Sequence, residues 1–175
     1  MNFTLSENAQ KPHFLSGANF FCKKEVVNNM IKIHALKSYH INNFTVGNIN
    51  NLLKQLSISA RKLTASQMKK IVTTPGTTVL VAREERKSKI VGIAMIHIWE
   101  IPTKKKCFID DVVVDKNYRG MKIGKRLTLA LIEEAKNQNT ECVDLSSQPK
   151  RKEANAMYEK LGFKKRETNY YRLRV

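Results

Sequence analysis

The pattern of apolar and polar positions divides the first part of the chain into one strand and two helices. Residues 31–37 alternate apolar and polar side chains, as a half-buried strand does. The first helix is predicted over residues 43–57, where apolar side chains recur at helical spacing, at Val46, Ile49, Leu52, Leu53 and Leu56. A second helix is expected from Ser66 to the turn at residues 73–76, which contains a Pro-Gly pair.

Three consecutive strands are predicted next. Residues 78–83 and 89–99 are rich in β-branched and other apolar side chains, and the charged segment 84–88 between them is typical of a hairpin turn. Residues 104–115 form the third strand of this group. Because the connections are short, we expect these strands to pair antiparallel.

The last part of the chain predicts helices and strands in alternation. A strand is expected at residues 142–146, a helix at 151–161 and a final strand at 163–175. The preceding helix, residues 123–137, repeats apolar side chains every fourth position, at Ile123, Leu127, Leu131 and Ala135. The order β-α-α-β-β-β-α-β-α-β predicts an α/β fold with a central mixed sheet flanked by helices, rather than a doubly wound sheet.

Length and composition describe one globular domain. The chain has 175 residues, of which 42% are hydrophobic and 27% charged, so a disordered chain is not expected. Residues 1–29 are polar and show no period, which predicts an N-terminal extension followed by a domain at 30–175. The longest apolar stretch, residues 91–99, is far shorter than the roughly 18 residues that suggest a membrane-spanning helix.

Cysteine content and the N-terminal segment both favour a cytoplasmic protein. Three widely spaced cysteines predict neither a disulfide framework nor a zinc site, and we expect no metal. The first 30 residues lack the apolar core of a signal peptide. The formal net charge of +17 favours anionic ligands, such as phosphorylated compounds or nucleic acid.

A basic turn lies between the third strand and the helix at 123–137. The turn reads Tyr118-Arg-Gly-Met-Lys-Ile-Gly124, and a glycine-containing loop at a helix N-terminus presents free N–H groups to a phosphate. Only three residues separate Gly120 from Gly124, which excludes a P-loop, and no G-x-G-x-x-G run is present. Five cations and no acid lie in or beside the turn, at Lys116, Arg119, Lys122, Lys125 and Arg126. This arrangement predicts a diphosphate site.

Two segments resemble the motifs of one enzyme superfamily. Residues 109–127, which contain Arg119, Gly120 and Gly124, resemble motif A of the GNAT N-acetyltransferases, with Lys122 standing where that motif has its first glycine. Residues 147–163, Ser-Gln-Pro-Lys-Arg-Lys-Glu-Ala-Asn-Ala-Met-Tyr-Glu-Lys-Leu-Gly-Phe, resemble motif B. Both motifs occur in the expected order, and the predicted strand order from about residue 31 also matches the GNAT fold.

The resemblance implies an acetyl-CoA site made of both motifs. Main-chain groups of Val112, Val113 and Val114 would bind the pantetheine arm as an added strand. Asn155 would bond the pantetheine amide, and Tyr158 would lie near the cofactor sulfur. The backbone N–H groups that would hold the diphosphate belong to Arg119, Gly120, Met121, Lys122, Ile123, Gly124 and Lys125.

The resemblance also implies direct attack of a primary amine on the acetyl thioester. Asp110 and Asp111 are the candidate general bases, and regular strand alternation predicts that they point to opposite faces. Tyr158 would protonate the departing thiolate. A backbone N–H of Val112 or Val113 would stabilise the oxyanion. Trp99 is expected near the edge of the acceptor cleft.

The sequence leaves the acceptor open. Polyamines or amino sugars, a protein N-terminus or lysine, and aminoacyl-tRNA all remain candidates. The acidic pair resembles that of amino-sugar acetyltransferases, whereas the charge of +17 favours an acceptor that bears phosphate. Two alternatives are a basic RNA- or ribosome-binding protein that retains the fold and a toxin that acetylates aminoacyl-tRNA. We expect a monomer or a homodimer and no membrane partner.

Overall fold

The computed structural model describes residues 30–175. The predicted N-terminal extension, residues 1–29, lies outside the described residues. Five strands form one sheet in the order β1-β2-β3-β4-β5. The strands are β1 Ile31–Ala35, β2 Thr77–Glu84, β3 Lys89–Ile101, β4 Lys104–Val114 and β5 Asp144–Leu145.

The sheet is mixed, which confirms the predicted fold class. Strands β1 to β4 pair antiparallel with their neighbours, whereas β5 runs parallel to β4. This parallel pair requires a crossover, and the long helix α3 supplies it. The four α-helices of the described residues are α1 Asn43–Leu56, α2 Ala65–Thr73, α3 Ile123–Asn137 and α4 Lys152–Lys160.

Helices cover both faces of the sheet and create two hydrophobic clusters. On one face, the buried side of α3 packs against Ala94, Ile96 and Ile109 of the central strands. On the other face, α1 and α2 cover Val81 and Ile93. In the part of the chain that the structure describes, no helix combines the length and the apolar character needed to cross a bilayer.

Hydrogen bonds at the helix starts explain where α1 and α2 begin. The Asn42 side chain accepts a hydrogen bond from the Thr45 N–H at the start of α1. At the start of α2, Thr64 and Gln67 form a reciprocal capping box. Both caps precede amphipathic segments, so local chemistry and burial specify the same boundaries.

The final predicted strand is wrong. None of residues 164–175 is in a strand, and all of them are exposed. The alternating pattern includes Tyr171, Leu173 and Val175, which are among the most exposed large hydrophobic side chains in the described chain. A strand needs a partner edge, and β5, which precedes this segment, is only two residues long. The pattern therefore lacks the backbone partner that would turn it into a strand.

Candidate acetyl-transfer site

Strand β4 carries a β-bulge at the acidic pair. Met95 pairs with Asp110 and Ile93 with Val113, so that Asp111 and Val112 together oppose a single residue of β3. Asp111 has a φ of 51°, in the left-handed region that side chains other than glycine rarely adopt. A bulge re-aims the side chains beside it. The regular alternation on which the opposite-face expectation rested is therefore interrupted between Asp110 and Asp111.

The bulged end of β4 also separates from its parallel neighbour. Strand β5 pairs with β4 only at Phe108 and Ile109. From Asp110 to Val114, the edge of β4 that faces away from β3 has no strand beside it within residues 30–175. The main-chain groups of Val112, Val113 and Val114 thus lie on a strand edge that can accept an extended ligand.

The turn after β4 presents the start of α3 without a side-chain cap. Lys122 is the N-cap residue, with a φ of 57° and no side-chain hydrogen bond to the helix. Gly120 also has a positive φ, of 78°. The first turn of α3 contains no acidic residue. The N–H groups at this end, with the positive end of the helix dipole, form the kind of site that binds an anion.

The side chains of the turn divide into anchors and exposed cations. Met121 and Ile123 are buried and belong to the α3-side core. Arg119, Lys122 and Lys125 are exposed beside the same turn. The anchors hold the backbone in place, and the cations add positive charge around the helix start.

A buried network that sequence reasoning missed fixes the turn to the β2–β3 hairpin. The Tyr118 hydroxyl donates a hydrogen bond of 2.5 Å to the Glu84 carboxylate, and Glu84 is only 3% exposed. Burial, the hydrogen bond from Tyr118 to Glu84 and the negative charge of Glu84 raise the pKa of Tyr118 to about 12. The two residues are 34 positions apart, so no local pattern connects them.

Asp115 and Lys89 form a second link between the hairpin and the turn. Their carboxylate and ammonium groups lie 3.0 Å apart, and the other Asp115 oxygen accepts the Asn117 N–H at 3.0 Å. Burial raises the pKa of Asp115, but these hydrogen bonds and the Lys89 charge outweigh it and lower the pKa overall. Asp115 is therefore an ionised structural group at the start of the turn.

Helix α4 brings the second motif to the first. A Cβ added at Gly124 would lie 3.7 Å from the Met157 sulfur and 3.7 Å from a Val114 methyl group. Gly124 therefore lies where α3, α4 and the end of β4 meet. Tyr158 follows Met157 on the same short helix.

Tyr158 is half-buried and keeps its proton at neutral pH. Its ring meets the Phe163 ring edge-on, with centroids 5.7 Å apart. Burial raises the pKa of Tyr158, while the positive charge of Arg151 acts in the opposite direction. Within residues 30–175 its hydroxyl has no protein hydrogen-bond partner, so the proton is free to be donated elsewhere.

Asn155 and Arg151 organise the loop before α4. The Asn155 side-chain amide donates to the Gln148 carbonyl at 3.1 Å, so one of its predicted bonding groups already serves this loop. The Arg151 guanidinium donates to the Leu56 carbonyl at the end of α1, at 3.0 Å. Sequence reasoning did not select Arg151, because its partner is a main-chain group 95 residues away.

The two neighbouring carboxylates lie in an exposed region, and the charge of Asp110 acts on Asp111. Asp111 reaches the surface, yet the protein atoms around its carboxylate remove part of its hydration and raise its pKa. The charge of Asp110 raises that pKa further, whereas His97 and Arg151 lower it. A carboxyl group whose pKa is raised toward neutrality is a better proton acceptor for an ammonium substrate.

A cavity of about 340 Å³ opens beside Asp110 on the face covered by α1 and α2. Its wall at Gly76 requires glycine, since a Cβ there would lie 2.0 Å from the Ile98 carbonyl oxygen. The Thr77 hydroxyl and His97 Nδ1 are 3.0 Å apart at the cavity wall. The lining residues are Thr74, Pro75, Gly76, Thr77, His97, Ile98, Trp99, Phe108 and Asp110.

Residues 30–175 contain no group of three or more His, Cys, Asp or Glu side chains placed to hold a metal ion.

No curated protein has a significantly similar sequence. Solved structures, in contrast, resemble the chain over most of its length. A Trypanosoma brucei acetyltransferase is 26% identical, with a TM-score of 0.69, and the match covers 83% of this chain and 99% of that one.

Two further solved structures share the fold at lower identity. Glucosamine-6-phosphate N-acetyltransferase from Arabidopsis thaliana is 23% identical, with a TM-score of 0.68 over 82% of this chain and 97% of that one. An aminoglycoside acetyltransferase from an uncultured soil sample, in complex with sisomicin, is 20% identical, with a TM-score of 0.71 over 85% and 99% of the two chains. The profile of the Acetyltransferase (GNAT) family matches residues 50–163, well over half of the chain. Gly124 of the first motif and Met157 of the second also meet beside Val114 at the end of β4. The chain therefore belongs to the GNAT family of acetyltransferases.

Proposed function

We propose that the protein transfers the acetyl group of acetyl-CoA directly to a primary amine. The observation that carries this proposal is the junction of the unpaired, bulged end of β4 with the uncapped N-terminus of α3. The junction offers an edge for an extended amide-containing arm and, next to it, N–H groups for a diphosphate. Acetyl-CoA contains both groups in that order and supplies a reactive acetyl thioester.

The donor side is assigned to residues of both motifs. The main chain of Val112 to Val114 binds the pantetheine arm, and the N–H groups from Arg119 to Lys125 bind the diphosphate. Asn155 keeps its side-chain oxygen available for the arm, because its amide nitrogen is the atom bound to Gln148. The exposed Arg119, Lys122 and Lys125 contribute positive charge.

The acceptor side is assigned to the cavity beside Asp110. An amine enters as an ammonium ion, since its pKa is typically about 10. Asp110 or Asp111, directly or through water, accepts a proton and exposes the nitrogen lone pair. The raised pKa of Asp111 and its position at the bulge support this role.

The remaining groups stabilise the transfer. The amine nitrogen attacks the thioester carbonyl carbon and forms the C–N bond, and the Val112 or Val113 N–H stabilises the resulting oxyanion. The C–S bond then breaks and releases the thiolate. Tyr158 gives its proton to the thiolate. The ammonium nitrogen loses two protons overall: one leaves through the carboxylate to solvent, and the other replaces the proton that Tyr158 donated.

A calorimetric titration of acetyl-CoA into the protein tests the donor assignment. We expect wild-type protein to bind acetyl-CoA and Gly124→Glu to lose binding, because the new carboxylate adds bulk and negative charge at the diphosphate site. Gly47→Glu is the matched control, since Gly47 is also helical and a Cβ there contacts nothing within 4 Å. Equal binding by Gly124→Glu and Gly47→Glu would contradict the phosphate-loop assignment.

A further inference from the structure

The cavity beside Asp110 has a composition that differs from the rest of the molecule. The chain carries a net charge of +17, yet among the described residues 30–175 no lysine or arginine lines this cavity. Its ionisable lining groups are Asp110 and His97, and its largest apolar groups are Trp99 and Phe108. The inference drawn from this cavity rests on the proposed function, since it treats the cavity as the acceptor site.

Strand pairing sets the order of these groups along the cavity. Met95 pairs with Asp110, His97 with Phe108 and Trp99 with Lys106, so successive same-face rows lead away from Asp110. Such rows are separated by roughly 6.6 Å, twice the rise per strand residue. A ligand whose nitrogen is at Asp110 therefore extends over Phe108 toward Trp99.

The charge of the lining disfavours a phosphate on the acceptor. A phosphate that enters the cavity would lose hydration, and the lining offers it no lysine or arginine from residues 30–175. His97 already has its Nδ1 within hydrogen-bond distance of Thr77. Lys106 pairs with Trp99 in the sheet but does not line the cavity. The local site therefore opposes the preference that the overall net charge suggests.

The aromatic groups favour a ring. Trp99 is 41% exposed and Phe108 is half-buried, so both retain surface that a ligand can cover. An aromatic or sugar ring presents an apolar face that packs on such side chains. The volume of about 340 Å³ is at the small end of ligand pockets, which run from roughly 300 to 1,000 Å³. It accommodates one ring.

We propose that the acceptor is an unphosphorylated primary amine carried on a single ring, with its nitrogen at Asp110 and its ring against Phe108 and Trp99. Four probe amines test this assignment in a thiol-release assay with acetyl-CoA. Benzylamine and propylamine differ in the ring, whereas glucosamine and glucosamine 6-phosphate differ in the phosphate.

We expect kcat/KM to be about tenfold higher or more for benzylamine than for propylamine, from burial of the ring. We expect the phosphate to lower kcat/KM for glucosamine by a similar factor of about ten, because its charge is opposed at the site. Trp99→Ala should lower kcat/KM for benzylamine much more than for propylamine and so remove most of the benzylamine advantage. Trp99→Phe should restore part of it, which separates loss of the ring contact from loss of folding.

Lys106→Ala is the matched control, because Lys106 on β4 pairs with Trp99 on β3. It should leave unchanged both the benzylamine-to-propylamine ratio and the glucosamine-to-glucosamine 6-phosphate ratio of kcat/KM. A preference for glucosamine 6-phosphate that Lys106→Ala abolishes would overturn the proposal. Equal rates with benzylamine and propylamine would also overturn it, while acetylation of either amine would uphold the proposed function. Absence of acetyl-CoA binding in the titration would instead refute the proposed function, and the acceptor assignment with it.

Discussion

At the scale of single residues, Tyr158 meets the requirements of the proton donor that we propose. Its pKa is raised by burial, and within residues 30–175 its hydroxyl is not committed to another protein group. Its ring packs against Phe163. Removal of the hydroxyl should therefore affect chemistry without disturbing this packing.

We expect Tyr158→Phe to lower kcat by roughly a hundredfold or more, since a general acid contributes typically 10²–10⁴-fold to a rate. The dissociation constant for acetyl-CoA should stay the same, as measured by calorimetry. Tyr170→Phe is the control, because that side chain is 81% exposed. Full activity of Tyr158→Phe would make the residue a structural tyrosine.

At the scale of elements, the turn between β4 and α3 is held from outside the motif that contains it. Tyr118 and Asp115 are tied to Glu84 and Lys89, on either side of the β2–β3 hairpin. The Lys116 N–H donates to the Gln55 side chain at 2.9 Å, which adds a contact with α1. These bonds position the backbone N–H groups assigned to the diphosphate.

Tyr118→Phe should impair the use of acetyl-CoA more than that of S-acetylpantetheine, which lacks the diphosphate. We expect kcat/KM for acetyl-CoA to fall several-fold and that for S-acetylpantetheine to stay nearly constant. The free energy of unfolding should fall by about 1–3 kcal/mol, because the buried Glu84 loses its hydrogen-bond donor. An equal loss with both donors would show that Tyr118 only stabilises the fold.

At the scale of the whole molecule, the charge of +17 has different consequences at the two halves of the site. Exposed cations surround the start of α3, whereas none of the described lysines and arginines lines the cavity beside Asp110. Under the proposed function, the positive field at the start of α3 therefore acts on the donor, whereas Asp110 is the charged group that lines the proposed acceptor cavity. Net charge alone predicts neither arrangement.

Salt should accordingly weaken acetyl-CoA binding. The screening length falls from about 10 Å at 0.1 M to about 3 Å at 1 M ionic strength, so attraction between the turn and the diphosphate is reduced. We expect the dissociation constant for acetyl-CoA to rise several-fold over this range and that for S-acetylpantetheine to change little. Tight, salt-sensitive RNA binding without acetyl-CoA binding would favour the nucleic-acid alternative.

The sequence alone determined the order of elements up to α4, because apolar periodicity reports directly which face of a helix or strand is buried. It also located the turn at 118–124 and both motifs. The prediction of a final strand was wrong at residues 164–175, because an alternating side-chain pattern does not supply the neighbouring strand with which a backbone must pair.

Only the tertiary structure decided how these segments become a site. The bulge at Asp111 depends on how β4 registers against β3, and the gap beyond Ile109 depends on where β5 stops pairing. The bond between Tyr118 and Glu84 spans 34 positions. Local sequence patterns record burial and backbone preference. Register and long-range contacts arise only when distant segments pack together, and they shape the bulged, unpaired end of β4.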